Sequence, residues 1–98
     1  MLLASKNIAV GNRFRYVIDY RDFLTPGIKV NTATATITPG QTPTPTSTVD
    51  TVSINNGVEV WFYINAGVLN EVFTVTVQVT DTETETVIDT VQFTVIAP

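Results

Sequence analysis

The sequence contains no cysteine and no histidine. Without cysteine no disulfide can form, so packing alone must hold the fold, and the redox compartment is not legible. Without histidine the usual general base is gone, and without cysteine the best nucleophile is gone as well. The three serines, Ser5, Ser47 and Ser53, stand in no nucleophile-elbow motif, and Lys6 and Lys29 fall in no Ser-x-x-Lys pattern. The five glycines are scattered and form no phosphate-cradling loop. Carboxylate pairs exist, but a chain of 98 residues has little material for a walled cleft around them. No enzyme and no cofactor is expected.

Long apolar runs are also lacking. None approaches the about 18 residues of a membrane span, and MLLASKN at the start is too poor in apolar residues for a signal-peptide core. A soluble chain without a membrane partner is expected. Basic residues are few: Lys6, Arg13, Arg15, Arg21 and Lys29 are all of them, and the net charge is −4. Phosphate binding needs clustered Lys and Arg, so nucleic acid is not an expected partner. All five bases lie in the first 29 positions, while Val30 to Pro98 holds seven acids and no base. That split suggests a polarised surface with a basic end and an acidic end.

What the chain has in abundance is threonine, 18 residues, and alternation. Threonine suits strands. In Phe14–Tyr20, Phe14, Tyr16, Ile18 and Tyr20 share one face, and Arg13, Arg15, Val17 and Asp19 share the other. Ile28–Thr38 changes parity midway: Ile28 and Val30 are even, Ala33, Ala35 and Ile37 odd. A bulge near Asn31 would shift the buried face by one residue. Val52 to Ile64 reads as a hairpin around Asn55-Asn56-Gly57, with Ile54 opposite Val58 and Val52 opposite Val60. Phe73, Val75, Val77 and Val79, then Val91, Phe93 and Val95, mark a second long hairpin with DTETET at its tip. Asp89 interrupts its apolar row, near the tip where solvent is expected.

No stretch shows a helical apolar period. Six to seven strands in sequential hairpins predict one all-β domain over residues 1–98, an antiparallel two-layer sandwich of immunoglobulin-like type. Residues 1–12 read as an N-terminal arm. Residues 39–48 read as a Pro/Thr-rich loop, either a crossover between sheets or an arm reaching a neighbouring subunit.

Three groups are candidates for contact or binding. Arg13, Arg15, Arg21 and Lys29 could meet an acidic partner. Trp61 and Tyr63 point away from the core side of their strand; they are either covered by a neighbouring segment, the preferred reading, or form an aromatic patch. Asp81, Glu83, Glu85 and Asp89 offer oxygen ligands of the kind calcium takes. They lack the glycine of a calcium loop, so a solvated charged tip is expected and no metal. Thr32, Thr34, Thr36 and Thr38 form one rank, which reads as the solvent face of a strand.

Two stretches carry a resemblance. FRYVIDYRDFL and VEVWFYINAGVLNEVFTVTVQVTDTETETVIDTVQFTV together resemble small tailed-bacteriophage virion-associated proteins of the fibre–tail adaptor type. Members carry Asp-Tyr-x-Ile-Asp-Trp followed by a hydrophobic pair. Here Tyr16, Ile18, Asp19 and Tyr20 match, then Phe23 and Leu24, with Tyr20 in place of the tryptophan. Val58, Val60, Trp61, Ala66, Gly67, Phe73, Thr74 and Val75 follow the family's later order. The second strand, TATATIT, lacks the family's tryptophan, and the Pro/Thr loop has no counterpart. The resemblance implies a non-enzymatic accessory structural protein of a virion. It would dock on a major capsid protein, as a decoration or cement protein, or on a tail or fibre protein as an adaptor. A homo-oligomer is expected with it. The alternative from the residues alone is a carbohydrate- or cell-surface-binding module that uses Trp61 and Tyr63.

Overall fold

The computed structural model describes residues 1–98 and contains seven strands and no helix: β1 (Leu2–Ala9), β2 (Arg13–Asp19), β3 (Val30–Ile37), β4 (Thr48–Asn55), β5 (Glu59–Asn65), β6 (Val72–Asp81) and β7 (Thr86–Ile96). They form two sheets, one ordered β1-β7-β6-β3 and one ordered β2-β5-β4. All pairs are antiparallel except β1 with β7, which is parallel. This is the two-layer sandwich expected from the alternation.

The inward residues are those the period of two marks. Ile18, Val60, Phe62 and Ile64 from one sheet meet Phe73, Val75, Val77, Val91, Phe93 and Val95 from the other, all buried. Phe93 is the hub: Phe73 stacks on it at 5.5 Å, and Tyr16 and Phe14 meet it edge-on at 5.5 and 6.1 Å across the layers. With no disulfide available, this aromatic cluster does the work of joining the sheets.

Several local readings are settled by pairing. The bulge sought near Asn31 is present: β3 slips one residue against β6 between Val30 and Thr32. The 1–12 segment is not a free arm for most of its length, because Leu2–Ala9 is the edge strand β1, with Ile8 buried against the core. The β4–β5 hairpin differs from the expected register. Ile54 opposes Val60 and Asn55 opposes Glu59, so the three-residue turn is Asn56, Gly57 and Val58, the first two with positive φ (56° and 69°). Val58 N–H donates to Asn55 O across that turn. Two left-handed residues match the right-handed twist of a tight hairpin, which the Asn-Gly pair adopts readily. Val60 is thus taken by Ile54, and Val52 falls in a bulge of β4 between Asp50 and Ser53, with Thr51 at φ 53°.

Asp89 also departs from expectation. It is not at a wet hairpin tip but opposite Val77 on the inner face, only 2% exposed. Its burial is tolerated because Tyr20 Oη donates to it at 3.2 Å and the amino group of Met1 lies 3.9 Å away.

The Pro/Thr loop crosses from β3 in one sheet to β4 in the other, and it is tied down. Gln41 acts as a backbone mimic: its Nε2 donates to Thr38 O and Thr74 O, and its Oε1 accepts from Thr74 N–H. Further on, the Glu71 carboxylate accepts four hydrogen bonds, from Thr46 N–H and Oγ1 and from Ser47 N–H and Oγ, at 2.6–2.9 Å. Burial pushes the Glu71 carboxyl up, but the Ser47 and Thr46 donors outweigh it and hold the group down at about 2. Gly67 sits under this clasp. A Cβ there would collide with Thr46 Oγ1 and lie 2.8 Å from Ser47 N.

Candidate functional site

The two outer faces of the sandwich are chemically unlike. On the four-stranded sheet, Thr32, Thr34 and Thr36 of β3 stand beside Thr80, Gln78 and Thr76 of β6, and those beside Thr86, Ile88 and Thr90 of β7. The threonine rank is thus one row of a wider uncharged face. The three-stranded sheet instead presents arginines, carboxylates and large aromatics.

Register builds that second face. Arg13, Arg15, Val17 and Asp19 of β2 lie opposite Asn65, Tyr63, Trp61 and Glu59 of β5. On the far side, Thr48, Asp50, Ser53 and Asn55 of β4 line up with the same four β5 residues. The β4 bulge makes this possible. Without the extra residue, Asp50 and Ser53 would fall on opposite faces.

Each arginine leans diagonally onto the next aromatic. The Arg13 guanidinium carbon lies 4.0 Å from the centroid of Tyr63, and that of Arg15 lies 3.9 Å from Trp61. Such stacking is worth roughly 0.5–1 kcal/mol at an exposed site and leaves the arginine's edge N–H groups directed outward. Arg13 Nη2 also donates to Asp50 Oδ1 at 2.7 Å. Asp50 accepts from Asn65 Nδ2 and Thr51 Oγ1 as well. The Asn65 amide, then Arg13 and Thr51, hold its carboxyl at about 2. Trp61 Nε1–H donates to Glu59 Oε1 at 3.1 Å. Arg15 has no carboxylate in ion-pair range.

The four basic residues grouped by sequence are therefore split by the fold. Arg13 and Arg15 are neighbours on the stacked face. Arg21, whose N–H donates to Asp19 Oδ1, sits in the loop after β2. Lys29 lies against Gly57 at the end where Thr82 N–H bonds to its carbonyl, beside the acidic β6–β7 tip. Trp61 and Tyr63 are half-buried, and the cover comes from the two arginines of β2. Asp81, Glu83, Glu85 and Asp89 do not converge. Asp81 Oδ1 accepts from the backbone N–H of Glu83 and Glu85, closing the tip, while Asp89 is inside the sandwich. No group of three or more potential metal-ligating side chains is gathered anywhere.

Two contributors to this surface, Asp50 and Asn65, are not legible in sequence, nor is Lys6 on the inner side of β2. Asp50 precedes a bulge that breaks the period. Lys6 reaches from β1 over the rings of Phe14 and Tyr16, at 5.4 and 5.8 Å, an approach made only by the crossing of the two sheets.

Seven strands ordered β1-β7-β6-β3 and β2-β5-β4, which in immunoglobulin lettering (A to G for β1 to β7) is A-G-F-C and B-E-D, with aromatic packing in place of a disulfide, define an immunoglobulin-like β-sandwich. Residues 9–95 match the family described as podophage GP4 fiber-tail adaptor protein gp77. The chain belongs to that family and is a component of a phage virion. A comparison with curated proteins found no match. The chain is also similar to part of a solved structure, the 2,6-sialyltransferase of Vibrionaceae Photobacterium sp. JT-ISH-224 in a ternary complex with CMP and lactose. The TM-score is 0.57 at 13% identity, over 100% of this chain and 18% of that one. The chain spans less than a fifth of that enzyme, and the likeness is one of fold alone.

Proposed function

We propose that the protein is a non-catalytic connector that joins a fibre protein to the tail, and that the outer face of β2-β5-β4 is its docking surface. The observation that supports this is the stacked array of Arg13 on Tyr63 and Arg15 on Trp61. Arginine, tyrosine and tryptophan are the residue types that dominate protein–protein binding energy. Here they are held in place before contact by stacking and by the Asp50–Asn65 bonds, so little side-chain entropy remains to be lost on docking. Arg15, stacked but without a carboxylate, favours an acidic group on the partner.

The family favours attachment at the tail over decoration of the capsid shell. The sugar-binding alternative loses its best feature, because the Trp61 and Tyr63 rings each carry a guanidinium where a sugar would stack. The test is co-sedimentation of purified protein with tails, with isolated fibres and with empty capsids. Binding to tails or fibres, abolished by Arg13→Glu with Arg15→Glu, is the expected result. Binding to capsids alone, or unchanged binding by the double variant, overturns the reading.

A further inference from the structure

In constant-type immunoglobulin sandwiches the first strand lies beside the second, in the A-B-E-D sheet. Here β1 has crossed to the other sheet and pairs with β7. β2 is therefore left as an edge with β5 as its one neighbour.

The backbone groups that face the vacant side can be named. Tyr20 N–H bonds to Val58 O, and Ala66 N–H bonds to Asn12 O, both in the β2–β5 register. Even-numbered residues of this segment thus point their backbone toward β5. Alternation then directs the N–H and C=O of Arg13, Arg15, Val17 and Asp19 outward. The strand is seven residues long, contains no proline and keeps an unbroken register. Long regular edges of this kind template pairing with another chain. The opposite edge of the same sheet, β4, is interrupted by the Thr51 bulge.

We propose that this edge is a homodimer interface, in which β2 pairs antiparallel with β2 of a second copy about a two-fold axis at Tyr16. The sequence of the strand is complementary to itself in that register. Arg13 of one copy stands opposite Asp19 of the other, and Arg15 opposite Val17. On the inner side, Phe14 meets Ile18, and Tyr16 meets its own copy. Other registers are worse. A slip of one pair toward Arg13 puts Arg15 against Arg15. A slip the other way sets Arg15 opposite Asp19 but shortens the ladder to residues 15–19 and carries Arg13 toward Arg21. Lys6 covers the Phe14 and Tyr16 rings from the inner side and does not occupy the ladder. The product is a continuous six-stranded sheet, and its outer face joins the two arginine–aromatic arrays into one surface.

Sedimentation equilibrium of the isolated chain tests this without any virion protein. The expected species is twice the 10.7 kDa chain mass. Arg13→Asp and Asp19→Arg each place like charges opposite one another twice. Each alone should self-associate at least about tenfold more weakly, while their equimolar mixture should restore the dimer. Val17→Pro removes an outward N–H that has no bond within the chain, so it should give a folded monomer, checked by circular dichroism. A wild-type chain that stays monomeric, as it would if the edge awaits a strand from a different protein, overturns the proposal. So does a Val17→Pro chain that dimerises like wild type, or a charge-reversed mixture that fails to pair although both variants fold.

Discussion

The phenol of Tyr20 donates to Oδ2 of Asp89 across 3.2 Å, joining the residue after β2 to β7 between the two sheets. Both residues are almost fully buried, at 1% and 2% exposure. Burial, then the Asp89 charge and the hydrogen bond, push the Tyr20 hydroxyl far up, so it stays a donor throughout the accessible pH range.

Removing that hydrogen should destabilise the sandwich. Tyr20→Phe keeps the ring and strips Asp89 of its buried donor, at a cost of about 1–3 kcal/mol. Urea titration followed by Trp61 fluorescence measures it. Asp89→Asn, which keeps an acceptor and removes the charge, should cost less in the same assay.

Acid should loosen the clasp on the Pro/Thr loop. Glu71 and Asp50 both have folded values of about 2, below the ordinary 4.5 and 3.8. Depressed carboxyls bind fewer protons in the folded state. Their stabilisation is therefore complete above about pH 4.5 and is lost as pH falls toward 2. The melting temperature should drop across that window. Glu71→Gln should flatten part of the slope and lower stability at neutral pH by about 1–3 kcal/mol.

Gly67 should not accept a side chain. Gly67→Ala drives a Cβ into Thr46 Oγ1 and against the Ser47 backbone, neither of which can withdraw without breaking a bond to Glu71. A loss of about 1–3 kcal/mol in chemical denaturation is expected. Gly40→Ala, with open space around it but φ at 80°, should cost less, about 1 kcal/mol.

Trp61 reports on its own cover. Arg15→Ala uncovers the indole and should red-shift its emission, while changing stability by only about 0.5–1 kcal/mol. An unchanged spectrum would mean that the stack does not persist in solution.

How much of this was readable depends on whether a feature is local. The strand faces of 14–20, 73–79 and 91–95 follow from a period of two, and the bulge near Asn31 from a break in it. The 52–58 register differs because the left-handed pair Asn56 and Gly57 moves the partner of Ile54 on by two residues, from Val58 to Val60, and a second bulge at Thr51 then changes parity within β4. The loop at 39–48 reads as irregular from its prolines, but its anchors, Gln41 and Glu71, are ordinary polar residues whose partners lie 24 to 33 positions away.

The sequence by itself determined the class: alternation with no helical period makes a sandwich. Only the tertiary structure decided which residues act together. It moved β1 to the far sheet and exposed the β2 edge, put Arg13 and Arg15 on Tyr63 and Trp61, and separated them from Arg21 and Lys29. The reason is physical. Face is set by backbone geometry residue by residue, whereas neighbourhood across strands is set by register and sheet order, which are properties of the whole packed chain.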